Sequence, residues 1–169
     1  MTVKSLTPNL MVDDIEATVE WYREMFDSEV VATLPADADD YFWAQVTIGE
    51  SLLMLQERDS LEAKIPAMAD RETGGSTALY VDVDDVEAMR DRLETAGTEV
   101  VEPPEETEYG WRLFAATDPN GYVLWFGERL DEDAEEMGIQ HRKHNIAADR
   151  IDRSSSDVRP PVQESEHWG

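Results

Sequence analysis

Aromatic and amide side chains recur at alternate positions along several short segments of this sequence, a spacing that could build a ligand-binding surface. Tyr41, Trp43 and Gln45 follow one another at every second position, and Tyr109 and Trp111 repeat that spacing further along. Because alternate residues of a strand point to the same side of a sheet, each set predicts one aromatic face. A largely apolar face with few polar groups is typical of a site for a small organic molecule.

We expect these faces to belong to one ligand site, to which neighbouring strands add polar groups. Carboxamides and one carboxylate, Asp82, would anchor a ligand, while the aromatic rings attract planar and cationic molecules. The same rows could instead pack against each other or against a second chain, and the sequence leaves both interpretations open. Ten residues form the predicted ligand site: Asn9, Tyr41, Trp43, Gln45, Gln56, Tyr80, Asp82, Tyr109, Trp111 and Trp125.

One short run occurs twice, which indicates that the chain contains a tandem duplication. Residues 12–17 read VDDIEA, and residues 83–88, which lie 71 positions further on, read VDDVEA. In each copy alternating apolar residues precede the run, and apolar residues at helical spacing follow it. An aspartate at this junction can accept hydrogen bonds from the free amides of the first helical turn. Each copy is therefore predicted to start with a strand and a capped helix.

Three further strands are predicted in each copy, so that a β-α-β-β-β unit is made twice. The predicted strands span 29–34, 41–48 and 52–57 in the first copy, and 98–102, 109–116 and 122–127 in the second. The DPNG sequence at residues 118–121 is a strong turn signal before the last strand. Pro103 and Pro104 predict a loop. The fold class is therefore α+β, with two tandem βαβββ modules.

Changes in composition divide the chain into four segments. We assign residues 1–58 to the first module, 59–75 to a connector, 76–130 to the second module and 131–169 to a C-terminal tail. The connector holds Pro66 and the pair Gly74-Gly75, which interrupt regular structure. The tail is acidic and polar and lacks apolar periodicity, so we expect it to be weakly ordered.

Charge is the most unusual property of the composition. The 169 residues include 39 Asp or Glu against 14 Lys or Arg, for a net charge of −25. Such an acid-rich, lysine-poor composition resembles that of proteins from salt-accumulating halophiles such as haloarchaea, in which high salt screens the surface repulsion. The charge disfavours a nucleic acid partner. No apolar run is long enough for a membrane span, no apolar leader is present and there are 0 Cys, which favours a cytoplasmic location.

The paired units, the VDD(I/V)EA run after the first strand and the DPNGYVLWF stretch at the end resemble the vicinal-oxygen-chelate superfamily. That superfamily includes glyoxalase I, extradiol dioxygenases, and fosfomycin- and bleomycin-resistance proteins. The resemblance spans about residues 3–128. It implies two curled, barrel-like mixed sheets with helices outside and a cleft on their concave faces. It also implies a homodimer in which two chains complete those clefts.

The resemblance further implies where metal ligands would lie, namely on the first and last strands of each unit, usually as His or Glu and sometimes as Gln. Carried onto this sequence, those positions hold Thr7, Met54, Ala78 and Trp125. Divalent metals favour imidazole nitrogens and carboxylate oxygens, so we expect no metal and no cofactor. His141 and His144 could hold a metal loosely, perhaps with His167, although a solvated tail is the simpler interpretation.

The function expected from these residues is binding of a small aromatic or cationic molecule by a metal-free, non-catalytic protein. Metal-free bleomycin-resistance proteins are understood to work in this way, by sequestering the drug. Two alternatives stay open at the level of the sequence. One is a metal-dependent lyase, isomerase or dioxygenase of the same fold with displaced ligands. The other is a structural or interaction module whose aromatic rows form a protein interface.

Overall fold

The computed structural model describes residues 1–36 and 39–130, and there each sequence copy forms one βαβββ module. The first module consists of β1 (Asn9–Val12), α1 (Ile15–Phe26), β2 (Val30–Leu34), β3 (Trp43–Ile48) and β4 (Ser51–Glu57). Next come α2 (Arg58–Lys64), which begins at the last residue assigned to the first module, and a short 3₁₀ helix at Pro66–Met68 in the connector. The second module consists of β5 (Ala78–Asp82), α3 (Val86–Thr95), β6 (Val100–Glu106), β7 (Trp111–Thr117) and β8 (Val123–Arg129).

Each module forms a mixed four-stranded sheet, and the two sheets have the same strand order. The order is β1-β4-β3-β2 in the first sheet and β5-β8-β7-β6 in the second. Asn9 lies beside Met54 in one sheet, and Tyr80 lies beside Trp125 in the other. Both members of the second pair lie 71 positions after their counterparts, so the duplication extends to strand register. The predicted fold class, α+β with two tandem βαβββ modules, is confirmed.

Both long helices are capped by the second aspartate of the repeated run, as predicted. The Asp14 carboxylate accepts a hydrogen bond from the amide of Ala17 at 2.9 Å, and Asp85 accepts one from Ala88 at 2.8 Å. These bonds satisfy amides that have no partner within the helix. The apolar stripes of the two helices are buried against the sheets: Ile15, Val19 and Tyr22 in α1, and Val86, Met89 and Leu93 in α3.

The first helix also contacts the second module. Phe26 near its end stacks on Phe126 of β8, with ring centroids 6.1 Å apart. Five residues earlier the indole Nε1 of Trp21 donates a hydrogen bond to Thr98 Oγ1 at 3.2 Å. Aromatic pairs stabilise a fold by more than the burial of their apolar area alone. These contacts therefore hold the two modules together on the helix side of the sheets.

The predicted DPNG turn forms before β8 and binds the first module. The Asp118 carboxylate accepts hydrogen bonds from the amides of Asn120 at 2.8 Å and Tyr122 at 2.9 Å. The Asn120 side chain in turn accepts one from the amide of Asp13 at 3.1 Å, and the Tyr122 hydroxyl donates to the main-chain oxygen of Met11 at 2.9 Å. The turn is therefore tied to the end of β1.

The structure corrects the predicted loop at Pro103 and Pro104. Both prolines lie within β6, the outer strand of the second sheet, between Glu102 and Glu105. The register shifts between those two glutamates. An edge strand tolerates proline because one of its sides needs no backbone donor, and an irregularity accommodates the missing ladder bonds.

Arg58, the last residue of the first module and the first of α2, holds the connector to that module. Its guanidinium pairs with the Asp13 carboxylate at 3.0 Å, donates to the main-chain oxygen of Arg71 at 2.9 Å and contacts the Thr73 hydroxyl. Among residues 1–36 and 39–130, no helix is both long enough and apolar enough to cross a bilayer. The predicted tail, 131–169, lies outside the described residues.

Candidate functional site

The second sheet gathers part of the predicted site around Tyr80. The Tyr80 ring meets Trp111 edge-on, with centroids 6.5 Å apart and planes at 67°. Its hydroxyl hydrogen-bonds the carboxylate of Asp82, two residues along the same strand. Trp125 lies directly beside Tyr80 on the neighbouring strand β8. We call these four residues the Tyr80 cluster: Tyr80, Asp82, Trp111 and Trp125.

A glycine on β8 makes room for the Tyr80 ring. Gly127 pairs with Asp82 in the sheet, and a Cβ added there would lie 1.9 Å from the Tyr80 hydroxyl oxygen. The ring therefore lies over the backbone of Gly127, where a larger residue would displace it. The sequence prediction missed this residue, although a glycine inside a strand is a signal of close approach by another group.

Burial and the Asp82 charge together raise the pKa of Tyr80 to about 12. The nearby Tyr109 also raises this pKa. The phenol therefore stays protonated around neutral pH and can donate to the carboxylate of Asp82. A charged acceptor strengthens such a bond, which orients the ring toward Trp111.

The members of the Tyr80 cluster differ in their access to solvent. Trp111 is only 4% exposed, whereas Trp125 is 36% and Tyr80 is 42% exposed. Trp111 thus supports the ring of Tyr80 from below, and the other two rings form the accessible surface. Tyr109, at 51% exposure, lies in the turn before β7.

The first sheet holds a cluster of hydrogen-bonded polar side chains that is distinct from the Tyr80 cluster. The Asn9 amide donates to Gln56 Oε1 at 2.9 Å, and Gln56 Nε2 donates to Ser60 Oγ at 2.9 Å. Gln56 is buried, and these bonds use both ends of its carboxamide. In the sheet register Trp43 lies beside Gln56 and Gln45 beside Met54, so four predicted residues share this face.

Tyr41 does not join either group, which corrects its predicted position. It packs against the helix-side core, and Glu16 and Glu20 of α1 influence its pKa, which burial raises above the usual value. The reason is that β3 begins at Trp43, so the alternation of faces does not extend back to Tyr41.

The residues at the four inferred metal positions do not fit a divalent metal. Thr7 precedes β1, Met54 lies beside Asn9 rather than beside Thr7, and the other two positions hold Ala78 and Trp125. A hydroxyl, a thioether, a methyl group and an indole supply no carboxylate or imidazole donor. Over the described part of the chain, no group of three or more His, Cys, Asp or Glu side chains could hold a metal ion. His141, His144 and His167 lie outside it.

The sequence of this chain matches one known family. A family model of the Glyoxalase/Bleomycin resistance protein/Dioxygenase superfamily matches residues 4–126. The chain belongs to this superfamily. An uncharacterized protein of Mycobacterium bovis is 26% identical over 129 residues, which cover 76% of this chain and 85% of that protein.

Solved structures share the fold. TioX from Micromonospora sp. ML1 has a TM-score of 0.60 at 20% identity, with 76% of this chain and 100% of that chain covered. A glyoxalase/bleomycin resistance protein/dioxygenase family enzyme from Burkholderia phytofirmans PsJN has a TM-score of 0.63 at 21% identity, with 73% and 97% covered. At such identities the similarity supports the architecture alone.

Proposed function

We propose that this protein binds a small aromatic cation at the Tyr80 cluster and does so without a metal. The observation that carries the proposal is that two accessible rings, Tyr80 and Trp125, lie side by side and that the Tyr80 hydroxyl bonds the exposed Asp82 carboxylate. Apolar surface with one fixed charge is the usual composition of a small-molecule site.

Two kinds of electrostatic attraction favour the binding of a cation at the Tyr80 cluster. The faces of Tyr80 and Trp125 carry negative electrostatic potential, which attracts a cation within about 6 Å of the ring centroid. Asp82 adds a full negative charge, and the net charge of −25 concentrates cations near the whole surface. We infer that the first sheet contributes through Asn9, Trp43, Gln45 and Gln56 and completes the site.

The test uses two probes of the same shape on the full chain. 1-Methylquinolinium carries a positive charge, and 1-methylnaphthalene is its neutral counterpart. We expect calorimetry to show about tenfold tighter binding of the cation, since cation–π and charge contributions of about 1–2 kcal/mol are reasonable at a half-exposed site. Equal affinity for the two probes contradicts the proposal.

Two charge-neutralising substitutions separate a local effect from a global one. Asp82→Asn should weaken cation binding about fivefold and leave the neutral probe unaffected. Glu24→Gln removes the same charge from the exposed side of α1, and it should change neither affinity by more than about twofold. If both substitutions have the same effect, general surface charge attracts the probe, and the site assignment is wrong.

The metal-dependent alternative predicts bound metal in the purified protein, whereas our proposal predicts none. Elemental analysis of the full chain, prepared without chelator, should give less than about a tenth of an equivalent of any transition metal. The triple variant His141→Ala, His144→Ala and His167→Ala removes all three histidines from consideration. Near one equivalent in that variant would contradict the metal-free proposal and favour an enzyme with displaced ligands.

We also propose that the protein is a homodimer adapted to high salt. Leu34 and Leu52 lie on the same face of the first sheet as Trp43 and remain 48% and 40% exposed, an apolar surface that a second chain would bury. Sedimentation in concentrated KCl should give twice the chain mass of 19.2 kDa. A monomer under these conditions contradicts the dimer.

A further inference from the structure

A cavity of about 810 Å³ lies where the two modules meet. One wall is the segment from Ser5 to Pro8, and a second is the turn between β3 and β4. A third wall is β5, through residues that include Leu79 and Val81. The volume falls within the range of small-molecule pockets.

Because of the internal repeat, the two modules meet at two equivalent places. A side chain, Tyr122, fills one of them, which we call the filled half, and this cavity lies at the other. In the parallel strand pairs β1–β4 and β5–β8, residues 71 positions apart occupy equivalent places. On that basis Ser51 is the counterpart of Tyr122, and Asp82 is the counterpart of Met11. Ser51 and Asp82 both line the cavity.

In the filled half, Tyr122 packs its ring in the core and makes a hydrogen bond with its hydroxyl. Its ring is 7% exposed and packs in the same core cluster as Leu10, and its hydroxyl donates to the main-chain oxygen of Met11 at 2.9 Å. The neighbouring Asn120 side chain donates to Thr18 Oγ1 at 2.9 Å. A tyrosine and an asparagine thus close the contact between the modules on this side.

In the other half no tyrosine side chain occupies the equivalent position. Serine stands at position 51, and the turn before it is shorter, since Ile48 pairs with Ser51 across Gly49 and Glu50 alone. The apolar surroundings are kept, since Val81, the counterpart of Leu10, lines the cavity together with Leu53 and Leu79. The cavity therefore lies where the other half has a tyrosine side chain, and its lining is largely apolar.

We propose that this cavity is a second binding site, one that takes the phenol ring of a small molecule. The ring would pack on Leu53, Leu79 and Val81, and its hydroxyl would donate to the main-chain oxygen of Asp82, as Tyr122 donates to Met11. Tyr80 and Asp82 line the cavity and also belong to the Tyr80 cluster, because β5 is an edge strand that both sites touch. The volume leaves room for a body larger than the ring.

The test uses p-cresol, which is the tyrosine side chain as a free molecule, on the full chain with labelled methyl groups. We expect p-cresol to give nuclear Overhauser contacts with the methyls of Leu53 and Leu79. Toluene, which lacks the hydroxyl, should bind about fivefold more weakly, because one hydrogen bond contributes about that factor. Contacts confined to Trp125, or no binding, would overturn the proposal.

Substitutions at Ser51 provide the matched comparison. Ser51→Tyr restores the side chain found at position 122 and should reduce p-cresol affinity at least about tenfold, while Ser51→Ala should keep it within about twofold. 1-Methylquinolinium binding at the Tyr80 cluster should survive in Ser51→Tyr, which separates this proposal from the proposed function. Unchanged p-cresol affinity in a folded Ser51→Tyr chain would overturn the proposal, and if that variant does not fold, the methyl contacts in the unsubstituted chain decide.

Discussion

The phenol of Tyr22 donates a 3.0 Å hydrogen bond to the carboxylate of Asp118, and both side chains are buried where the two modules meet. Tyr22 belongs to α1 in the first module, whereas Asp118 opens the turn before β8 in the second. Burial raises the pKa of both groups. The bond therefore links the modules through a carboxylate that has little solvent to replace a lost donor.

Removing that donor should destabilise the protein. We expect Tyr22→Phe to lower the free energy of unfolding by about 1–3 kcal/mol, because a buried acceptor then loses a partner. Urea denaturation in KCl measures the change. Tyr109→Phe removes a hydroxyl from a half-exposed ring and should alter stability by less than about 0.5 kcal/mol. Similar losses in the two variants would show that the Tyr22–Asp118 bond contributes nothing particular.

Gly127→Ala should disturb the Tyr80 cluster while preserving the fold. The new methyl would meet the Tyr80 ring, which must move away from Trp111. We expect the ring resonances of Tyr80 to shift and 1-methylquinolinium affinity to fall about fivefold. In a Tyr80→Ala background the same glycine substitution should have almost no effect on affinity. An equal effect in both backgrounds contradicts the steric explanation.

Titration of Tyr80 should be displaced to alkaline pH. Its pKa is raised to about 12 by burial first and by Asp82 second, so Asp82→Asn should lower the pKa toward, but not fully to, 10. The pKa of Tyr80 is higher in the folded chain than in the unfolded chain, so protonated Tyr80 stabilises the fold. This contribution to the free energy of unfolding is complete below about pH 10 and is lost as the pH rises toward 12. Carbon-13 NMR of the labelled phenol carbon follows this titration. A Tyr80 that titrates near 10 would contradict the assigned surroundings.

Salt should stabilise the folded chain. With a net charge of −25, repulsion between carboxylates opposes the compact state at low ionic strength, and dissolved ions screen it. We expect the melting temperature to rise steeply as KCl increases from about 0.1 to 1 M, the range in which the Debye length falls from about 10 to 3 Å. Sucrose at equal osmolality, which does not screen charge, serves as the control. A melting temperature that is insensitive to KCl argues against salt adaptation.

Local sequence signals determined most of the architecture. The repeated VDD(I/V)EA run located both helix starts, where Asp14 and Asp85 form the caps, and the alternation of residues located the strands. The 71-residue spacing reappears in the strand register. These features depend on neighbours in the chain, so periodicity and turn chemistry are sufficient to predict them.

Tertiary structure decided which side chains meet. Tyr41 packs on the helix side, Gly127 admits the Tyr80 ring, and Tyr122 reaches Met11 across 111 positions of sequence. Each outcome depends on the packing of segments far apart in the chain, and no local pattern records it. The cavity beside Ser51 arises in the same way, because the shape left between the modules depends on both packed halves together.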